Sequence, residues 1–154
     1  MNSNIEIVGL ILSLLNYCFV FLMIFNLLKV NYFNPIVSTF VKIYKPISKI
    51  LPTLINPVIN IFVIAVGLKL LSLIVYFGSQ YETITLLGVA VIQTLMVTVR
   101  IIFFSVIGGV ILSWVSPEKS NAFLELVVEI SYKSLEPIRK YIPSAGGLDF
   151  SPLF

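Results

Sequence analysis

Between Glu82 and Glu118 the chain reads TITLLGVAVIQTLMVTVRIIFFSVIGGVILSWVSP, residues 83–117, with Arg100 as its one charge. About 20 apolar residues cross a bilayer core at about 1.5 Å per residue, and this stretch exceeds that length. A water-soluble domain has no use for such a segment, so the chain is read as a membrane protein. An ionisable group held at that depth is a functional-site candidate by default.

Composition agrees: 58% of residues are hydrophobic, 11% are charged, and the mean hydropathy is +1.06. Two further segments qualify as spans: Ile7 to Leu28, free of charge, and Val58 to Phe77, interrupted only by Lys69. The expected fold is all-α, with polytopic transmembrane helices in a single membrane domain over residues 1–154. The first span follows Glu6 rather than a basic stretch, and no small-x-small site closes it, so it reads as part of the mature protein. The single cysteine, Cys18, lies inside this span and is assigned to packing. Histidine is absent, which removes the commonest general base and nitrogen ligand. No nucleophile and base pair emerges either. The sequence therefore points to no enzyme, no cofactor and no metal.

Outside the spans, Lys29, Lys42, Lys45, Lys49, Lys119, Lys133, Arg139 and Lys140 all fall in segments 29–56 and 116–154. The N-terminal tail and the 78–85 connection hold only Glu6 and Glu82. The positive-inside rule then places both basic segments in the cytoplasm and the N-terminus outside in a multi-pass topology. No basic patch interleaves with aromatics, so nucleic acid is not an expected partner.

Each cytoplasmic segment repeats one plan: an amphipathic stretch, two prolines at one spacing, then a helix start. The first reads Asn34-Pro35, Pro46, Pro52, Asn56-Pro57; the second reads Asn121-Ala122, Pro137, Pro143, Ser151-Pro152. Asn or Ser before Pro supplies a capping side chain and a φ already set for the first helical residue. The expectation is two repeats, about 5–78 and about 83–154, the second incomplete, with a fourth span opening at Ser151-Pro152. A native terminus after three spans is the alternative. In the first segment Ile36, Val37, Phe40, Val41, Tyr44 and Ile47 form one face and Lys42, Lys45 and Lys49 the other, predicting an interfacial helix whose lysines meet anionic lipid at about 1 kcal/mol each. In the second, Phe123, Leu124, Val127, Val128 and Ile130 oppose Glu125, Glu129, Lys133 and Glu136. Its acidic body suits a protein partner better than lipid, plain solvent exposure being the other reading, and only Arg139 and Lys140 are basic at its end.

The run Leu112-Ser113-Trp114, then Leu135-Glu136-Pro137-Ile138-Arg139-Lys140-Tyr141-Ile142-Pro143 and Gly146-Gly147-Leu148-Asp149-Phe150-Ser151-Pro152, resembles the second repeat of the YggT family of small bacterial inner-membrane proteins, which have plastid relatives. The first repeat is similar through Asn34-Pro35, Pro46 and Pro52. It departs in lacking Arg and Trp around Phe25 to Lys29, and in having Leu54-Ile55-Asn56 where a Gly-containing turn is usual. The family has no established biochemical activity; the resemblance implies a fourth span and links to membrane-complex assembly, cofactor attachment in plastids, division or nucleoid organisation, and osmotic tolerance.

Counting from Pro57 and from Trp114 as markers of the inner interface puts Lys69 and Arg100 at one depth, with no carboxylate in the spans to pair with them. Each costs about 2.5–3.5 kcal/mol at the bilayer centre on insertion scales. Two readings stand: snorkelling toward headgroups, or contact with a carboxylate or carbonyls of another subunit. Trp114 reads as an interfacial anchor, and Gly108-Gly109 as a place where a helix approaches closely. Gly146, Gly147 and Asp149 read as the turn before the next helix. Thr94 and Thr98, with Gln93, form a polar strip. The function expected is an accessory or assembly subunit that contacts lipid and other integral membrane proteins of a larger complex. The alternative is a small homo-oligomeric transport or osmotic-response protein.

Overall fold

A computed structural model describes residues 3–50, 56–115 and 121–139. Five helices follow one another: α1 Ser3–Leu27, α2 Pro35–Ile50, α3 Pro57–Phe77, α4 Thr83–Val115 and α5 Ala122–Arg139. Among the described residues there is no strand. Helices α1, α3 and α4 are each long and apolar enough to cross a membrane, and their positions match the three expected spans. Pro52, Lys140, Pro143, Gly146, Gly147, Asp149, Ser151 and Pro152 lie outside the described residues, as do the side chains of Lys49 and Arg139.

The helix starts are chemical as well as positional. Asn56 is extended (φ −150°, ψ 138°), its Oδ1 accepts from the Val58 amide at 3.0 Å, and Pro57 takes the first helical position. Asn34 caps α2 by accepting from the Ile36 amide at 3.0 Å. Asn121 caps α5 by accepting from the amides of Phe123 and Leu124, each at 3.0 Å. Each oxygen satisfies amides that a first helical turn leaves without a partner.

Two prolines lie inside helices: α2 runs through Pro46 to Ile50, in keeping with the helical placing of Ile47 and Lys49, and α5 runs through Pro137 to Arg139. Each removes one helical hydrogen bond, but both are exposed and close to a helix end, where water and fraying make that loss small.

The chain divides into two units, Met1–Leu27 with Phe40–Thr98, and Leu28–Thr39 with Val99–Phe154. In the first, α1 and α3 run antiparallel, Asn16 meeting Ala65 and Glu6 meeting Tyr76. Val66 and Leu73 of α3 pack with Leu86 and Ala90 of α4, flanked by Phe62, Leu70, Val89 and Val91. Helix α2 turns its apolar side onto the end of α1: the Phe40 ring meets Phe25 at 5.7 Å and Phe21 at 6.0 Å, and Tyr44 meets Phe19 edge-on at 6.2 Å. Burial raises the Tyr44 phenol above its ordinary pKa. Phe40 and Tyr44 of the apolar face expected to dip into lipid therefore meet α1, while Lys42 and Lys45 stay exposed. In the second unit the end of α4 lies against α5 at Gly108 and Gly109, and residues 28–34 form an elbow held on α5.

Candidate functional site

The spans carry polar side chains, and in the first unit these close on one another. Asn16, 1% exposed, donates its amide to the Ala65 carbonyl at 2.8 Å and to Thr94 Oγ1 at 3.3 Å, tying α1 to both α3 and α4. One turn along α1, the hydroxyls of Ser13 and Ser72 share a bond at 2.8 Å, and Ser72 donates to the Gly9 carbonyl at 3.0 Å. Tyr76 then donates to the Glu6 carbonyl at 3.0 Å. Thr98 donates back to the Thr94 carbonyl at 2.9 Å. Away from water an unmade hydrogen bond is costly, so this ladder fixes the register of α1 against α3.

The ladder also fixes a level along α3. Helix α3 has 21 residues, about 31 Å, close to the thickness of a hydrocarbon core of about 30 Å. Its middle residue is Gly67, and Ala65 lies two positions away, so the Asn16 lock meets α3 near mid-helix. Lys69 is one turn from Ala65 toward the α3–α4 connection. Arg100 is six residues beyond Thr94, about 9 Å along α4. Lys69 and Arg100 belong to different helices, and Trp114, the interface marker for Arg100, closes one of 33 residues, longer than the hydrocarbon is thick.

They also lie on different faces. The residues one turn before and after Lys69, namely Ala65, Val66, Ser72 and Leu73, are all buried. Lys69 is thus on the inward side of α3, half-buried. Around Arg100 the corresponding Met96, Phe103 and Phe104 are exposed, and Arg100 with them. Trp114 is exposed on the same side of α4.

In the second unit the elbow is locked onto α5. Lys29 adopts φ 52°, the left-handed conformation usual for glycine after a helix end. Its carbonyl accepts from the Lys133 ammonium. The Asn31 amide donates to Glu129 Oε1 at 2.8 Å, and Glu129 pairs with Lys133 at 2.7 Å. The Asn34 side chain, besides capping α2, donates to the Ala122 carbonyl at 2.7 Å. Glu129, expected as part of a partner face, is engaged within the chain. Glu125 is exposed and has contacts of its own. We expect Asn34→Ala to cost about 1 kcal/mol, the usual loss for a cap, with the Ala122 tie lost alongside it. Faster amide exchange in the first turns of both α2 and α5 checks this; a change confined to α2 would show that the tie contributes nothing.

Among the described residues no group of three or more His, Cys, Asp or Glu is placed to hold a metal. Sequence reading found Thr94, Thr98, Lys69 and Arg100, and missed Asn16, Ser13 and Ser72. The available signal was an asparagine three residues after a serine within an otherwise apolar span.

The profile of the CCB3/YggT family matches residues 88–154. An uncharacterised protein of Haemophilus influenzae is 31% identical over 130 residues, covering 81% of this chain and 70% of the relative. The chain belongs to the YggT family. An uncharacterised Pseudomonas aeruginosa protein is 31% identical over 147 residues, covering 85% of this chain and 71% of its own. Escherichia coli K12 YggT, likewise uncharacterised, is 28% identical over 132 residues, covering 80% and 67%. No solved structure matches the chain. With three long apolar helices and bacterial relatives, this YggT-family chain is a membrane protein of bacterial type.

Proposed function

We propose that this YggT-family protein is a non-catalytic accessory or assembly subunit of a larger inner-membrane complex. The observation that carries the reading is that Ser13, Asn16, Ser72, Thr94 and Thr98 direct their hydrogen bonds to one another and to backbone carbonyls. They are fasteners between helices, and an aqueous passage would need such groups turned to water. The surface left for partners is the outward side of α4, with Val99, Phe103, Phe104, Ile107, Ile111 and Trp114, and the outer side of α5, with Phe123 and Val128 beside Glu125. Charge distribution supports an outside N-terminus, with segments 29–56 and 116–154 in the cytoplasm. There Lys42 and Lys45, with Lys49, Arg139 and Lys140, are assigned to anionic headgroups. The paired Asn caps and late prolines of α2 and α5 support two tandem repeats.

Purification in mild detergent tests this role. The expected result is a stoichiometric unrelated partner, depleted when Phe104 and Trp114 are both replaced by alanine. A homo-oligomer alone that conducts ions in liposomes would overturn it. That second reading, a small transport or osmotic-response protein, is favoured by one observation: Lys69 lies on the inward side of α3, one turn from the Asn16 lock. It requires the flux to disappear in Lys69→Met.

A further inference from the structure

In the first unit Ser13, Asn16, Ser72, Thr94 and Thr98 each find a hydrogen-bond partner within the chain. Lys69 is the exception. It lies on the inward side of α3, with Ala65, Val66, Ser72 and Leu73 buried one turn to either side, and has no hydrogen-bond or ion-pair partner among the described residues. It is half-buried, so part of the side chain stays open to an approaching group. The two described acids of this unit do not serve it. Glu6 meets Tyr76, two turns along α3 from Lys69, and Glu82 follows the end of α3. Lys69 is twelve residues from Pro57 and eight from Phe77, about 18 and 12 Å along the helix. Neither end of α3 is therefore within reach of the ammonium, and its partner must approach from the side. Cations inside apolar spans pair with carboxylates or carbonyls; a carbonyl would leave the charge uncompensated, and a carboxylate answers it.

We infer that Lys69 is the docking point for a carboxylate carried by a membrane-spanning helix of a partner, the ammonium donating to its oxygens one turn from the Asn16 lock. The inference rests on the accessory reading and names the chemistry of the partner: an apolar helix with an Asp or Glu near its middle. Charge complementarity makes the contact selective. A neutral helix leaves the ammonium unpaired, and a cationic one is repelled. The hydrogen bonds of Asn16 and Ser72 hold α3 against α1, so the cation is offered in a fixed place.

Proteoliposomes of the full chain test it, with synthetic spanning peptides of leucine and alanine that carry a single Glu, Gln or Lys at the middle. Energy transfer between labelled protein and labelled peptide reads the association. Wild type is expected to bind the Glu peptide at least about tenfold more tightly than the Gln peptide, and the Lys peptide least. Lys69→Met is expected to bind the Glu and Gln peptides alike, while Lys69→Arg and Arg100→Gln keep the preference. Equal binding of the two peptides by wild type overturns the site, whether or not Lys69→Met folds. A preference that survives in folded Lys69→Met, or vanishes in folded Arg100→Gln, overturns the assignment to Lys69. Loss of the preference on adding free acetate shows a site for small carboxylates and overturns the docking role. The peptides stand in for the natural partner, so the two readings fail separately: an accessory role resting on α4 and α5 stands without a Lys69 preference, and that preference is measurable where no partner co-purifies.

Discussion

Gly109→Ala is expected to destabilise the protein by about 1–3 kcal/mol, the range for overpacking, although alanine is the better helix former by about 1 kcal/mol. A Cβ at this position would lie 2.3 Å from Ser131 Oγ and 2.4 Å from Ser131 Cβ. Because the Ser131 Cβ is bonded directly to the α5 backbone, rotation of the side chain cannot relieve the overlap and α5 itself must shift. Gly108 is less restrictive: a Cβ there would meet only Val127 Cγ1, at 2.8 Å, the end of a side chain. Removing the opposing atoms should restore the fit. Ser131→Gly alone weakens α5 through its low helix propensity, yet the double variant Gly109→Ala with Ser131→Gly should be more stable than the sum of the single effects implies. Unfolding in mixed micelles measures the cycle, and amide exchange in α5 locates it. A Gly109→Ala protein as stable as wild type would show that α4 and α5 do not meet at this seam.

Asn16→Leu is expected to cost about 1–2 kcal/mol, with helix α4 the element that loosens. Interhelical side-chain hydrogen bonds in membranes average about 0.6 kcal/mol, with measured values up to about 1.7. Asn16 makes two, at 2.8 and 3.3 Å, one to α3 and one to α4. Leucine is close enough in size that the change reports the bonds and not a cavity. Thr94→Val removes one of the two bonds and should cost less; in the Asn16→Leu background it should cost almost nothing further. Additive losses would mean that the Asn16–Thr94 bond carries no coupling.

The three spans were legible because a run of apolar residues this long has one physical use, and the helix starts because Asn34, Asn56 and Asn121 each precede the residue whose backbone begins the turn. What the sequence left open depends on which helices become neighbours. Nothing local to Asn16 says that it will find the Ala65 carbonyl and Thr94 rather than another chain. Lys69 and Arg100 read alike as lone cations in apolar runs; that Lys69 is half-buried on the inward side of α3 while Arg100 is exposed depends on neighbours the runs do not name. The elbow was hidden for a related reason: Lys29 carries no mark of a left-handed residue. It is held there by groups about a hundred positions away, Glu129 and Lys133.

Helices of 21 and 33 residues cannot both match a bilayer of uniform thickness while standing upright. Helix α3 fits a core of about 30 Å upright, whereas α4, about 50 Å long, must lean or emerge. A thicker membrane, richer in long acyl chains, would strain the shorter helix and relax the longer one. A preference among membranes of different thickness is the expected consequence of the two lengths, and sorting between lipid domains checks it.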